Sequence, residues 1–179
     1  LKTSTHKEVV SWIKSFVIVG VIVLIVRSFV LSPYEVEGAS MEPTLHNHEK
    51  VIVNKTTSIT DHFNRGDVVI IELDNLYVKR VIGFPGDVIE VKDDTLYING
   101  KVVEEPYLYP FKENAHEKGI KLTGDFGPLE VPEDNYFVMG DNRLRSMDSR
   151  NGLGFIPKES IIGTSELVIY PFNEFRKVK

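Results

Sequence analysis

The stretch VEGASMEPTL, residues 36–45, holds one serine, Ser40, between small residues and a proline. Gly38 and Ala39 before it let another backbone come close, and Pro43 after it fixes the direction of the chain. Such a serine is displayed rather than packed. Its hydroxyl becomes a nucleophile only when a neighbouring group takes its proton. The question is which residue of this chain could do so.

Histidine is the usual base. His46 and His48 lie close by in LHNHEK, while His6, His62 and His116 are scattered. Two histidines at i and i+2 in a polar turn are ordinarily solvated, and no spacing supports a Ser/His/Asp triad, although it stays open as an alternative. No metal centre is expected, because the chain has no cysteine and no helical His-x-x-x-His pair.

Lys79 is the stronger candidate. In NLYVKRVIG the strand period sends Tyr77, Lys79 and Val81 to one face, and Leu76, Val78, Arg80 and Ile82 to the other. In a half-buried strand one of the two cations must then face inward or line a cleft. A lysine can serve there because it can lose its proton, whereas arginine cannot. Free lysine titrates near ~10.4, leaving fewer than about one in a thousand neutral at pH 7, and burial can lower that value by up to about 3–5 units. The plain alternative is a lysine that reaches out of the sheet edge or pairs with a carboxylate.

A third motif bears on the choice. MGDNRLRSMDSRNGLG, residues 139–154, crowds Asp141, Asn142, Arg143, Ser146, Asp148 and Arg150 after an apolar strand. A solvated loop reads this way, and so does a weak calcium loop, though EF-hand spacing is lacking. The same residues could also hold a catalytic lysine in place without giving it a carboxylate partner, which would raise its pKa.

The elements that must position these groups are many short strands. YEVEG, KVIVN, NRGDVVIIEL, LYVKRVIG, VIEV, LYINGKVV, NYFVMGDN and SIIGTSELVIYPF carry strand patterns, with Asn99-Gly100 as a two-residue hairpin turn. Residues 105–130 read as an irregular surface excursion, and no soluble helix stands out. The fold class expected is all-β: a barrel-like domain of antiparallel strands with a single N-terminal transmembrane helix. That helix is WIKSFVIVGVIVLIVRSFVL, residues 12–31. About 20 helical residues rise ~30 Å, the thickness of a hydrocarbon core. A cleaved leader would need small residues at −3 and −1, where the chain offers Glu37 and Ala39, and a buried core helix suits an all-round Val/Ile surface less well than lipid does. Lys2, Lys7 and Lys14 precede the apolar run against Arg27 after it, which favours a cytoplasmic N-terminus. The division expected is a cytoplasmic tail at 1–11, an anchor at 12–31 and an extracytoplasmic β-rich domain at 32–179, in the cell membrane as a single-pass protein.

Composition agrees and excludes. The 179 residues carry a net charge of −5, which argues against a nucleic-acid partner, and the absence of cysteine removes disulfides and thiol chemistry.

The motifs GASMEPTL, RGDVVIIE, YVKRVIGFPGD and VMGDNRLRSMDSRNGLG, behind an N-terminal anchor and in this order, resemble the type I signal peptidases. These are membrane-anchored Ser/Lys proteases that remove signal peptides from exported proteins. The short span between the last two motifs is similar to the compact Gram-positive form. The resemblance implies Ser40 as nucleophile and Lys79 as general base, with no cofactor. It implies Ser146 as a hydrogen-bonding partner that orients Lys79, an Asp148–Arg150 ion pair behind the site, and Asp141 as a partner for Arg80. Substrate would lie near Tyr34, Val36, Gly38, Ala39 and Tyr77, with Met41 in the substrate-facing wall. The backbone N–H of Ser40 would stabilise the oxyanion. Gly38 stands where some members place a hydroxyl, so a second donor is unassigned. Leu144 is apolar where the family is often polar. Implied partners are signal-peptide-bearing preproteins, the lipid bilayer and the secretion machinery. Two other readings compete: a self-cleaving repressor-type Ser/Lys protease, against which the apolar span stands in place of a DNA-binding domain, and a membrane-anchored β-domain that binds a partner without catalysis.

Overall fold

In the computed structural model, residues 2–178 are described, with side chains from Glu8 onward. The first element is a helix, α1 (Lys2–Phe29). Its Glu8–Phe29 stretch has a mean hydropathy of 2.6 and none of it is buried against the rest of the chain. An apolar helix of that length, left bare by its own protein, is suited to cross a bilayer. It ends at Phe29, and Leu31, expected in the apolar span, already belongs to β1 (Leu31–Glu35). The side chains of His6 and of Lys2 and Lys7, the last two weighed for orientation, lie outside the described residues.

The remaining elements are β2 (Lys50–Asn54), α2 (Thr56–Ile59), β3 (Val68–Glu72), β4 (Leu76–Gly83), β5 (Val88–Lys92), β6 (Thr95–Ile98), β7 (Lys101–Val103), α3 (Tyr109–Glu117), β8 (Phe126–Glu130), β9 (Asn135–Met139), β10 (Ile156–Pro157), β11 (Ile161–Tyr170) and β12 (Arg176–Lys177). They form two antiparallel sheets. The larger runs β1-β2-β11-β3-β4-β9-β10, with β12 added to β11, and the smaller runs β7-β6-β5-β8. Asn99 and Gly100, both at positive φ (53° and 73°), turn β6 into β7 as the Asn-Gly pair predicts.

The fold is mostly β, but among the described residues no ladder closes the large sheet into a barrel. Its path ends at β1 on one side and β10 on the other. The sheet curls instead: Val36, Met41 and Leu45, from the chain after β1, share a core with Val68 and Ile70 of β3 and with Val78 of β4. Strand β1 thus faces β3 and β4 across a gap that side chains, not backbone hydrogen bonds, bridge. A second core on the other face joins Val69, Ile71 and Val81 to Tyr136, Val138 and Ile161. Strands buried on both faces read as continuous apolar runs, which is the pattern of VVII in β3.

The excursion at 105–130 is more ordered than its composition suggests. Pro106–Leu108 forms a 3₁₀ turn, α3 follows with Pro110 in its first turn, and Leu108, Ala115 and Leu122 make a small core of their own. The polar majority of YPFKENAHE hides a short helix that buries only one small residue.

Candidate active site

Strand β4 places Lys79 opposite Val69 of β3 and Arg80 opposite Met139 of β9. Both cations are 2 % exposed, so the expectation that one of them faces inward falls short: the sheet is covered on both faces, and both are buried. They are satisfied differently. Arg80 forms a two-pronged pair with Asp141, Nε to Oδ1 at 2.8 Å and an Nη to Oδ2 at 2.6 Å. Its guanidinium also lies 4.0 Å from the Tyr107 ring. Among the described residues no carboxylate comes within ion-pair distance of Lys79. Its Nζ lies 2.9 Å from Ser40 Oγ and donates to the Val78 carbonyl at 2.9 Å.

Ser40 reaches the lysine because the chain after β1 doubles back. Leu45 N–H donates to Met41 O, and His48 N–H donates to Val36 O. Gly38 sits at φ 85°, a conformation that disfavours a side chain. The turn is tied to the 140–150 loop through Asn142, which donates from its backbone to Ser40 O and from Nδ2 to Ala39 O. Gly140 makes this approach possible. A Cβ there would lie 2.2 Å from Ser146 Oγ and 2.5 Å from Ser40 O.

Burial pulls the Lys79 pKa down to about 8, against the opposing pull of the Asp148 and Asp141 charges. Asp148 is held below the usual carboxylate range. Burial alone would raise it, but Arg150 outweighs that with bonds at 2.8 Å from Nε and from an Nη, and Gly140 N–H adds another. A second buried pair, Arg143 with Glu105, fastens the loop to the excursion, and Arg143 Nε also bonds Gly140 O at 3.0 Å.

The other expected site residues divide. Tyr34 is half-buried and lines a cleft of about 220 Å³ with Glu35, Glu37, Ile70, Asn75, Leu76 and Val78. This cleft is the gap between β1 and β3–β4. Gly38 is exposed and Ala39 half-buried beside Ser40, and Tyr77 is half-buried with its ring centroid 5.8 Å from Lys79 Nζ. Met41 and Val36 are buried, in one core with Ile70, Tyr34 and Val78, which line that cleft. Ser146 Oγ is buried beside Asp148, whose carboxylate it helps to hold ionised, and the bond to Lys79 implied for it is not formed. Neither nearby histidine bonds Ser40: His48 Nδ1 pairs with Glu35 at 3.0 Å, and His46 is exposed. Gly38 N–H is committed to Asn47 Oδ1.

Sequence reasoning overlooked Gly140, Thr44 and Glu105. Thr44 bridges the nucleophile turn to the ion pair, donating to Asp141 Oδ2 at 2.5 Å and accepting from Arg80 at 3.2 Å. Its place in SMEPT was a usable signal. Glu105 had none, since its partner Arg143 is distant in sequence.

A serine hydroxyl against a buried amine of lowered pKa can carry out acyl transfer without histidine, and this defines a hydrolase-type site on a β-domain behind an apolar helix. Comparison with known proteins agrees. Residues 9–170 match the family described as signal peptidase, peptidase S26. The chain is 55% identical over 178 residues to Signal peptidase I of Bacillus licheniformis, covering 98% of this chain and 96% of that one. It is 54% identical over 176 residues to Signal peptidase I S of Bacillus subtilis strain 168, covering 97% and 96%. The crystal structure of a signal peptidase I from Enterococcus faecalis V583 superposes with a TM-score of 0.53 at 41% identity, covering 57% of this chain and 95% of that one. The chain belongs to the signal peptidases of family S26.

Proposed function

We propose that Ser40 and Lys79 form the catalytic dyad with which this signal peptidase removes signal peptides from secreted preproteins. The observation that carries the reading is the 2.9 Å approach of Lys79 Nζ to Ser40 Oγ inside a niche dry enough to bring the amine to about 8. At that value about a tenth of the lysine is neutral at pH 7, roughly 300-fold more than for a lysine at its ordinary value of 10.5. Neutral Nζ has two hydrogens and one lone pair. One hydrogen is donated to Val78 O, and the lone pair takes the Ser40 proton as Oγ attacks the scissile carbonyl. The new C–O bond forms, the amide C–N bond breaks, and the proton passes from Lys79 to the leaving amine. Water, deprotonated by the same amine, then releases the signal peptide from the acyl-enzyme.

The backbone N–H of Ser40 is one donor to the developing oxyanion. The signal-peptide end lies extended along β1, an end strand of the sheet, by strand addition. Small side chains enter the cleft beside Tyr34, with Gly38, Ala39 and Tyr77 at its borders. Asp141 with Arg80, and Asp148 with Arg150, hold the loop that backs the lysine. Ser146 supports the niche by its packing over Gly140. Residues 12–31 act as a single membrane anchor, with 1–11 cytoplasmic and 32–179 outside. This holds the site at the face where preproteins emerge and where the secretion machinery works. The bare apolar surface of α1 supports the anchor.

The test is cleavage of a purified preprotein by the full chain in detergent. Ser40→Ala and Lys79→Ala should each lower kcat by at least about 1,000-fold, each removing half of one unit. Retained activity in Lys79→Ala, with loss in His46→Ala or His48→Ala, points to a histidine base instead.

A further inference from the structure

The turn that carries Ser40 is held from two sides. On the inside it meets β4 and the 140–150 loop. On the outside it meets the C-terminal strand β12, which lies beyond the stretch matched to the family. Arg176 of β12 donates through Nη1 and Nη2 to the two carboxylate oxygens of Glu49 at 2.8 and 2.9 Å, and through Nη2 to the backbone carbonyl of Thr44 at 2.9 Å. Glu49 closes the turn from the other end. Its backbone carbonyl takes Val36 N–H, and its carboxylate takes His46 N–H at 2.9 Å. One guanidinium therefore spans both limbs of the loop. The network continues inward, from Thr44 Oγ1 to Asp141 and from Asp141 to Arg80, the neighbour of the base.

We propose that Arg176 is a positioning residue for Ser40: the C-terminal strand carries its guanidinium against Thr44 and Glu49, and this fixes the turn so that Oγ stays in reach of Lys79. The inference rests on the reading of Ser40 as the nucleophile. Two features make the role specific to arginine. Only a planar fork reaches a carboxylate with two parallel bonds and a carbonyl as well; a lysine ammonium is a single point charge. The Glu49 side chain is 4% exposed, so loss of its partner leaves a buried carboxylate without its counter-charge and frees the Thr44 limb. The Arg176 side chain is 32% exposed, so the space it vacates opens to small solutes.

The experiment measures preprotein cleavage by the full chain in detergent, at a temperature where circular dichroism shows each variant folded. Arg176→Ala should lower kcat about tenfold or more, as misplacement of a reacting group does, with KM changed by less than about twofold. The pH midpoint of the rate should stay where it is, because the surroundings of Lys79 are untouched. Millimolar methylguanidinium should restore several-fold of the lost kcat. Arg176→Lys should fold and fall between wild type and Arg176→Ala, and it keeps the test decisive should the alanine variant not fold. Wild-type kcat in either variant, a loss confined to KM, or a kcat loss that methylguanidinium leaves unchanged overturns the assignment. Ser40→Ala run alongside separates the two readings: cleavage by that variant removes the nucleophile itself, whatever Arg176 does.

Discussion

Lys79 and Arg80 are neighbours on β4, equally buried, and partnered in opposite ways. Arg80 is locked to Asp141 by two short bonds, while Lys79 faces a serine hydroxyl and a carbonyl. One cation keeps its charge and serves as structure. The other is left where charge is costly, which prepares it to accept a proton.

The rate of cleavage should follow the neutral fraction of Lys79. With its pKa brought down to about 8, kcat/KM should climb about tenfold per pH unit below that value and level off above it. A pH–rate profile on a preprotein whose own groups do not titrate between 6 and 10 checks this.

Stability should show the converse. The folded pKa of Lys79 is below its ordinary value of 10.5, so the folded state binds fewer protons than the unfolded between about 8 and 10.5. Stability therefore rises with pH through that window, and the full cost of the buried amine is felt below it. The shift corresponds to roughly 3 kcal/mol, at about 1.4 kcal/mol per unit. Lys79→Met, which keeps the volume without the charge, should be more stable than wild type at neutral pH by up to that amount. The advantage should vanish near pH 10.5. Urea titrations at pH 7 and above pH 10 measure both.

Gly140→Ala should abolish cleavage while leaving most of the β-domain folded. Its methyl would sit 2.2 Å from Ser146 Oγ and 2.5 Å from Ser40 O, so the nucleophile turn or the loop must move. A shift of about 1 Å at a reacting group costs on the order of a hundredfold. The paired variant Gly140→Ala with Ser146→Gly removes one of the two clashes and should recover part of the activity.

Asp141→Asn should destabilise more than it slows chemistry at the base. It removes the charge from the two-pronged buried pair with Arg80, and breaking such pairs costs about 3–5 kcal/mol. The midpoint of thermal unfolding should fall sharply. The pH midpoint of the residual activity should move slightly downward, because the Asp141 charge is one of the two that raise the Lys79 pKa.

The strands were legible because they rest on local signals, alternation and an Asn-Gly turn, and the two side chains that the fold brings to 2.9 Å stood out as a serine among small residues and a lysine on an apolar strand. Barrel closure was not. Whether β1 pairs with β4 or stands off across a cleft depends on where Val36, Met41 and Leu45 pack, and nothing within residues 31–45 states it. The same packing buries Met41. Helix α3 escaped notice because its one buried residue, Ala115, leaves no apolar stripe to read. The Arg80–Asp141 and Arg143–Glu105 pairs join residues far apart in the chain, where spacing carries no information about who meets whom.

The central claim is an amine whose pKa is brought down to about 8, and its own titration tests it most directly. Selective isotope labelling of lysine, with Lys79 assigned by comparison with Lys79→Met, should show one Nζ titrating near 8 in the full chain in detergent. A Lys79 signal that stays cationic until the pH approaches 10.5 contradicts the account.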